Sequence, residues 1–348
     1  MPILRPVALT TAALAAFVLL ACPVRCPAGP DAAPAPPPLT LCLGAHADDT
    51  AAYPLEEVPA NHRVLTVVFR LKDTESYTKL THVWIAVDVG DVAPANHEID
   101  RADLDLKGRK RGVLRLPLPK DFPVGKYRLD VLADGKPWAS LAFPVVPPKP
   151  VVPLEKPGDL LPLAVGTKWT RSFVLEAGPI VKNLTLSGGE RSADGKWRAT
   201  ATFTVAAKEE AGARVEIRRN DVLVNEEWWR LDASGLGITR ERAGGSEASY
   251  DPPVPILRLP LASPLSFTYK PTDASFERAY QMWGPLPVVG PKGSTPGWVV
   301  LYTQATPRGA RTVESHFVPG IGVVRDVAVD SVAGILRTRI ETTIAPAK

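Results

Sequence analysis

The chain has 348 residues, a length that suggests about two domains, each large enough for its own core. The net charge of +4 is small, and no basic run is interleaved with stacking aromatic residues, which argues against nucleic-acid binding. The 37 prolines disfavour long helices and favour strands, turns and tethers.

Residues 1–21 are predicted to be an export signal. The uncharged apolar stretch Val7–Ala21 is too short to cross a bilayer comfortably, which takes about 20 residues. It ends in Leu19-Leu20-Ala21-Cys22, which resembles the lipobox of bacterial lipoproteins. The resemblance implies cleavage before Cys22 and a lipid on its thiol, so that the membrane is a partner and the protein faces the periplasm or the exterior. A plain secretory signal cut at a small residue such as Ala28 stays open.

Residues 22–49 are predicted to form a tether because a Pro/Ala-rich run occupies their centre. Cys26 and Cys42 are expected to lie in this tether, where they could form a disulfide in an oxidising envelope or remain incidental thiols. A second Pro-rich stretch, residues 148–157, is predicted to be a linker that few contacts cross.

Residues 50–147 are predicted to be a β-sandwich. Apolar and polar residues alternate over Leu65–Leu71 and Val83–Val89, and Asp134-Gly135 is a strong hairpin signal. The segment Phe122–Val131 resembles the last-but-one strand of bacterial immunoglobulin-like modules, and this resemblance implies an immunoglobulin-like sandwich.

Residues 158–346 are predicted to form a larger antiparallel sheet. Alternation over Trp197–Val205 and Ile321–Val329 belongs to a meander of about ten strands, which must curl into a half-barrel or barrel. Pro319 and Gly320 predict a tight turn with φ > 0 at Gly320, and Gly322 follows at the start of the next strand.

Three motifs in this second region resemble a family of exported, uncharacterised bacterial β-proteins sometimes described as TapB-like. They are Pro162–Thr170 (P-L-x-V-G-x-x-W-T), Ile256–Leu261 (I-L-R-L-P-L) and His316–Arg325 (H-F-V-P-G-I-G-V-V-R). His316 stands where the family usually has an aromatic residue, and Arg325 stands where it usually has lysine. The resemblance implies a curled sheet and carries over no functional residues.

The sequence offers no motif for nucleotide, cofactor or metal binding, so neither a cofactor nor a metal site is predicted. Ser76 lies in an S-x-x-K match without the other motifs of the serine enzymes that use it, and the acidic stretch His97–Asp105 fits a solvated loop better than a calcium site. Glu226 and Glu227 are adjacent in a predicted strand, so they point to opposite faces and cannot act together on one bond.

These patterns favour a non-catalytic envelope lipoprotein with a binding or scaffold role. Its ligand would be an apolar molecule or a segment of an envelope protein, held by large apolar side chains of the second region. The candidate ligand-binding residues are Trp169, Trp197, Trp228, Trp229, Phe267 and Tyr269. The alternative is an envelope enzyme acting on polysaccharide or cell wall, with a site assembled from distant residues.

Overall fold

The computed structural model describes residues 37–150, 158, 160–273 and 275–344. The predicted signal, Cys22, Cys26 and residues 151–157 of the predicted linker lie outside these residues. The prediction of an all-β chain, with a sandwich followed by a larger curled sheet, is confirmed.

The N-terminal part is a sandwich of two sheets with strand orders β2-β1-β4-β7 and β3-β9-β8-β5-β6. Its strands are β1 Leu39–Ala45, β2 Ala51–Pro54, β3 Val58–Pro59, β4 Val64–Arg70, β5 Lys79–Asp88, β6 His97–Asp105, β7 Arg111–Pro117, β8 Gly125–Ala133 and β9 Lys136–Val146.

Alternating apolar residues of the two sheets face each other and form one buried core, with Trp84 of β5 among its largest side chains. The Tyr127 hydroxyl at the start of β8 donates to the Pro123 carbonyl oxygen at 2.8 Å. Strand β3 pairs in parallel with β9.

The predicted tether ends too late in the chain, because strand β1 already belongs to the folded region. Residues 39–45 were expected to precede the folded region, but they form a strand between β2 and β4. The alternation of Leu39, Leu41 and Leu43 is a strand signal that the neighbouring Pro/Ala-rich run obscures. Among the described residues Cys42 has no disulfide partner; it is buried in this strand, and burial raises the pKa of its thiol to about 12.

The C-terminal part is one antiparallel sheet of 13 strands. The strands are β10 Lys168–Ala177, β11 Glu190–Arg191, β12 Trp197–Glu209, β13 Gly212–Arg219, β14 Val222–Asp232, β15 Gly235–Ala243, β16 Ser246–Arg258, β17 Leu265–Tyr269, β18 Arg278–Gly290, β19 Gly293–Thr306, β20 Gly309–Val318, β21 Gly322–Val332 and β22 Ile335–Ile344.

The sheet consists of two meanders joined in the middle. Strands β10 to β16 follow one another on one side, strands β22 back to β17 follow on the other, and β10 pairs with β22 between them. The two edges, β16 and β17, are therefore consecutive in the chain. The six residues 259–264 can span only roughly 20–25 Å, so the sheet must curl until its edges approach each other.

The Pro319-Gly320 turn connects β20 to β21. The Ile321 amide donates to the Val318 carbonyl at 3.1 Å, and Gly320 has φ of 78°, a region that favours glycine. The Gly320 amide also donates to the Leu160 carbonyl at 2.9 Å. Gly322 has φ of 96°, and a Cβ placed there would lie 2.5 Å from Leu161 Cδ1. The turn therefore holds the segment before β10 against the sheet through a hydrogen bond and close packing.

The sandwich packs against the outer face of the large sheet around β18–β21. A cluster of buried side chains joins them: Leu43, Ala52, Trp283, Leu286, Val288, Val299, Leu301, Val318 and Val324. From Pro37 onward the chain forms one compact unit. The expectation that few contacts cross between the two parts is wrong, because side chains of β1 and β2 pack against the large sheet. The boundary at residues 148–157 stays a prediction.

Candidate functional site

A cleft of about 500 Å³ lies where the sandwich meets β18 and is called here the junction cleft. Its walls come from β1–β3, from the chain just after β9, and from residues 283–287 of β18. Six of the lining residues are prolines: Pro54, Pro59, Pro147, Pro148, Pro285 and Pro287. Because proline has no N–H, these walls offer a ligand apolar surface and few backbone donors.

His62 is the distinctive polar group of the junction cleft. It lies between β3 and β4, where its amide donates to the Pro59 carbonyl at 2.9 Å. Its Nδ1 accepts a hydrogen bond from Trp283 Nε1 at 2.9 Å. Because Nδ1 is an acceptor, the neutral ring carries its proton on Nε2. Burial lowers the pKa of His62 to about 4, so the ring is neutral near pH 7.

The Nε2–H group of His62 has no hydrogen-bond acceptor among the described residues, although the side chain lines the cleft and is only 5% exposed. Buried donors are nearly always paired, and an unpaired one costs about 1–3 kcal/mol. An acceptor atom on a bound molecule would satisfy it.

Polar contacts hold the walls of the cleft in place. The Asn61 side-chain amide donates to the Ser263 carbonyl at 2.7 Å, and the Tyr53 hydroxyl donates to the Pro287 carbonyl at 2.6 Å. The exposed pair Lys149 and Glu57 lies 3.5 Å apart. The first two contacts join the sandwich to the C-terminal part, and the ion pair joins the chain after β9 to the sandwich. The cleft is therefore largely pre-formed.

A buried ionic cluster lies beside the cleft, centred on Glu314 of β20. Its carboxylate meets His46 Nε2 at 3.0 Å, His316 Nε2 at 2.5 Å and an Arg325 guanidinium nitrogen at 3.2 Å. The Tyr53 amide also donates to it at 3.1 Å. Hydrogen bonds from both histidines outweigh burial and hold the pKa of Glu314 well below its usual range.

This Glu314 cluster joins the two parts of the molecule, and its central carboxylate is buried. Glu314 is 1% exposed, and its oxygens are occupied by four donors from both sides of the junction. His316 and Arg325, which begin and end the last of the three motifs, are both partners of this carboxylate. Glu314, His46, His316 and Arg325 are not among the residues that line the junction cleft.

The six predicted ligand-binding residues are not gathered in one site. Trp169 stacks on Trp229 with ring centroids 6.0 Å apart inside the core, and Trp197 packs partly buried against the same core. Trp228 lies on the opposite face, with the Arg240 guanidinium 4.3 Å from its ring centroid and its Nε1 donating to Glu209 at 2.7 Å. The inner face at these positions is therefore filled by the chain's own side chains.

Phe267 and Tyr269 line a second cleft of about 300 Å³ between the two sheet edges, called here the seam cleft. Phe267 stacks on Tyr280 with ring centroids 4.8 Å apart, and the Tyr269 hydroxyl donates to the Pro252 carbonyl at 2.7 Å. These two are the predicted residues that the structure places at an open concavity.

Glu226 and Glu227 point to opposite faces of β14. Glu226 pairs on the outer face with Arg214 at 2.7 Å and Arg242 at 3.1 Å. Glu227 lies inside, where it accepts from Trp229 Nε1 at 2.7 Å, and burial raises its pKa to about 7. The two carboxylates do not form a catalytic pair, as the alternation of strand residues requires.

Sequence reasoning missed His62, Trp283, His46 and Glu314. His62 and Trp283 are 221 positions apart, and no local pattern connects two such residues before the sandwich docks. Within the described ranges, no three His, Cys, Asp or Glu side chains are arranged to hold a metal ion. No helix in the same ranges has the length and apolar character needed to cross a membrane.

No family model matches the chain, and a search of curated proteins found no match. Among solved structures, the chain is similar to a protein from Bacteroides fragilis described as exported with a YmcC-like fold. That match has 14% identity and a TM-score of 0.27, and it covers 54% of this chain and 98% of the other. A protein from Parabacteroides distasonis described as a lipoprotein matches with 14% identity and a TM-score of 0.25, covering 53% and 97%. Likeness at this level assigns no function.

Proposed function

We propose that this protein is a non-catalytic binding protein of the bacterial cell envelope, tethered through a lipid on Cys22. Its junction cleft binds a small apolar ligand that carries an acceptor oxygen, such as an acyl ester. The proposal keeps the predicted apolar ligand but places it at the junction, since the core holds most of the predicted aromatic residues. We also propose that the N-terminal sandwich is immunoglobulin-like and that the protein is related to the TapB-like exported proteins.

The unpaired Nε2–H of His62 is the observation that carries this proposal. Trp283 fixes the tautomer that makes Nε2 a donor, and burial keeps the ring uncharged. A neutral donor in a proline-lined wall suits a neutral acceptor attached to apolar groups. The envelope location rests on the signal and the lipobox-like sequence.

Titration of tryptophan fluorescence with methyl decanoate, and with an alkane of matched length, tests the proposal. We expect His62→Leu to weaken ester binding about 3–10-fold, because one hydrogen bond contributes about 0.5–1.5 kcal/mol. Binding of the alkane should not weaken. His97→Leu, at an exposed histidine on β6, is the matched control and should leave both affinities unchanged.

Native mass spectrometry of protein purified from envelopes adds an independent readout. A bound apolar molecule that His62→Leu loses and His97→Leu keeps would support the proposal. Ester and alkane affinities that fall together would show that His62 only shapes the wall. If neither probe binds, the proposal is contradicted and a protein-binding scaffold is the better explanation.

A further inference from the structure

The large sheet does not close into a barrel, because its edge strands β16 and β17 lie near each other without pairing. The gap between them is called here the seam. The two strands are the edges of the sheet and do not pair with each other. One end of the seam is closed where the Thr272 amide donates to the Asp251 carbonyl at 2.8 Å and the Tyr269 hydroxyl donates to the Pro252 carbonyl at 2.7 Å. The seam cleft lies along the remainder, lined by both edges.

The two edges differ in what their backbones can offer. Strand β16 carries Pro252, Pro253 and Pro255 at the seam cleft, and each lacks the N–H that a ladder needs. Strand β17 has the sequence Leu-Ser-Phe-Thr-Tyr, without proline, and it pairs on one side only, with β18. A strand paired on one side presents unused N–H and C=O groups on the other side.

The seam cleft is also positively charged. Arg230, Arg258 and Lys270 line it together with one carboxylate, Asp232. Asp232 pairs with Arg230 at 3.0 Å, whereas Arg258 and Lys270 have no ion pair among the described residues. The Arg258 guanidinium lies over the Phe267 ring, 4.8 Å from its centroid, which holds it at the seam.

We propose that the seam binds an extended peptide segment with a carboxylate side chain, which adds as a strand to the free side of β17. Backbone hydrogen bonds to β17 supply affinity, as in other cases of strand addition. The carboxylate pairs with Arg258 and Lys270, and alternate apolar side chains of the peptide enter the seam cleft beside Phe267. This binding is independent of the junction cleft and does not need His62.

Fluorescence anisotropy with labelled hexapeptides tests the charge pairing. One peptide alternates Thr and Val with Glu at its third position, and a second has Lys there. Arg258→Glu combined with Lys270→Glu should weaken the Glu peptide at least tenfold and tighten the Lys peptide. Arg70→Glu combined with Lys120→Glu makes the same charge change on the sandwich and should alter neither affinity. All four positions are exposed, and thermal melting checks that each variant folds.

N-methylated forms of the Glu peptide test strand addition itself. A strand added to an edge uses every second amide, so methylation of one alternate set should abolish binding while the other set is tolerated. Equal affinities of the two methylated peptides would overturn strand addition. An unchanged affinity in the charge-reversed variant would overturn the ion pair, and failure of the wild type to bind the Glu peptide would overturn the whole proposal.

Discussion

The imidazole of His62 is held neutral by burial, and its Nδ1 is occupied by the Trp283 N–H. Protonation would place a second donor opposite that N–H, so the folded state resists the charge. The unfolded chain has no such resistance and binds a proton near the ordinary histidine pKa of about 6.5. The depressed folded pKa therefore contributes stability that is complete above pH of about 6.5 and is lost as pH falls towards about 4.

We expect the free energy of unfolding to fall by roughly 3 kcal/mol between pH 7 and pH 4 on account of His62. Urea unfolding at several pH values should show this slope in the wild type and in His97→Gln, and a flatter slope in His62→Leu. Glu314 affects stability only at lower pH. Because its pKa is lowered in the folded state, stability is lost only as pH falls below its ordinary pKa of 4.5. Equal slopes in wild type and His62→Leu between pH 6.5 and 4.5 would contradict this account.

The hairpin of β20 and β21 depends on the backbone of one residue. Gly320 has φ of 78°, and a β-branched side chain there is strained. We expect Gly320→Val to lower the free energy of unfolding by about 1–3 kcal/mol. Chemical denaturation measures this change.

Gly290→Val is a matched control at the β18–β19 hairpin, where the nearest atoms to an added Cβ are at ordinary contact distances of 3.7 and 3.8 Å. Its cost should be clearly smaller. Equal losses of stability in the two variants would show that the Gly320 conformation is not what matters. Since β20 also carries Glu314, strain at this turn should be felt in the sandwich as well.

At the scale of the whole molecule, we expect the sandwich and the large sheet to unfold together. Leu43→Ala removes a buried side chain from the cluster that joins them and should cost about 2–5 kcal/mol. Hydrogen exchange should then show protection falling in β5 and in β14 together. Leu223→Ala, at an exposed position of β14, should change neither.

Two separate transitions, of which only the sandwich responds to Leu43→Ala, would contradict the coupling. They would instead support the weakly connected domains that the Pro-rich linker suggested. The buried Glu314 cluster and the His62–Trp283 hydrogen bond both cross the same junction, which is why one transition is expected.

Local patterns in the sequence were sufficient to predict most of the strands and the turn at Gly320. Alternation over Leu65–Leu71 corresponds to β4, and alternation over Val83–Val89 corresponds largely to β5. The same pattern in residues 39–45 was outweighed by the prolines before it. Alternation also places Trp229 on one face of β14, but it does not say whether that face is already filled by Trp169.

The candidate site could not be read from the sequence because its parts meet only after docking. His62 and Trp283 belong to different parts of the molecule, and no periodicity relates them. The seam cleft depends on how far the sheet curls, which the strand pattern leaves open between a closed barrel and a half-barrel. Phe267 and Tyr269 were nevertheless identified, because they are large apolar residues at alternating positions of a strand.

The side-by-side pairing of β10 and β22 has a consequence for the order in which the chain can assemble. The five strands after β11 can each form a hairpin with the one before as soon as they are synthesised. Strand β10, however, gains its second neighbour only when the last ten described residues arrive. Closing so long a loop is entropically costly and slow, so β10 keeps one unpaired edge until β22 has been made. Loss of β22 would leave β10 and β21 as unprotected edges, which chaperones and proteases recognise as an incomplete product.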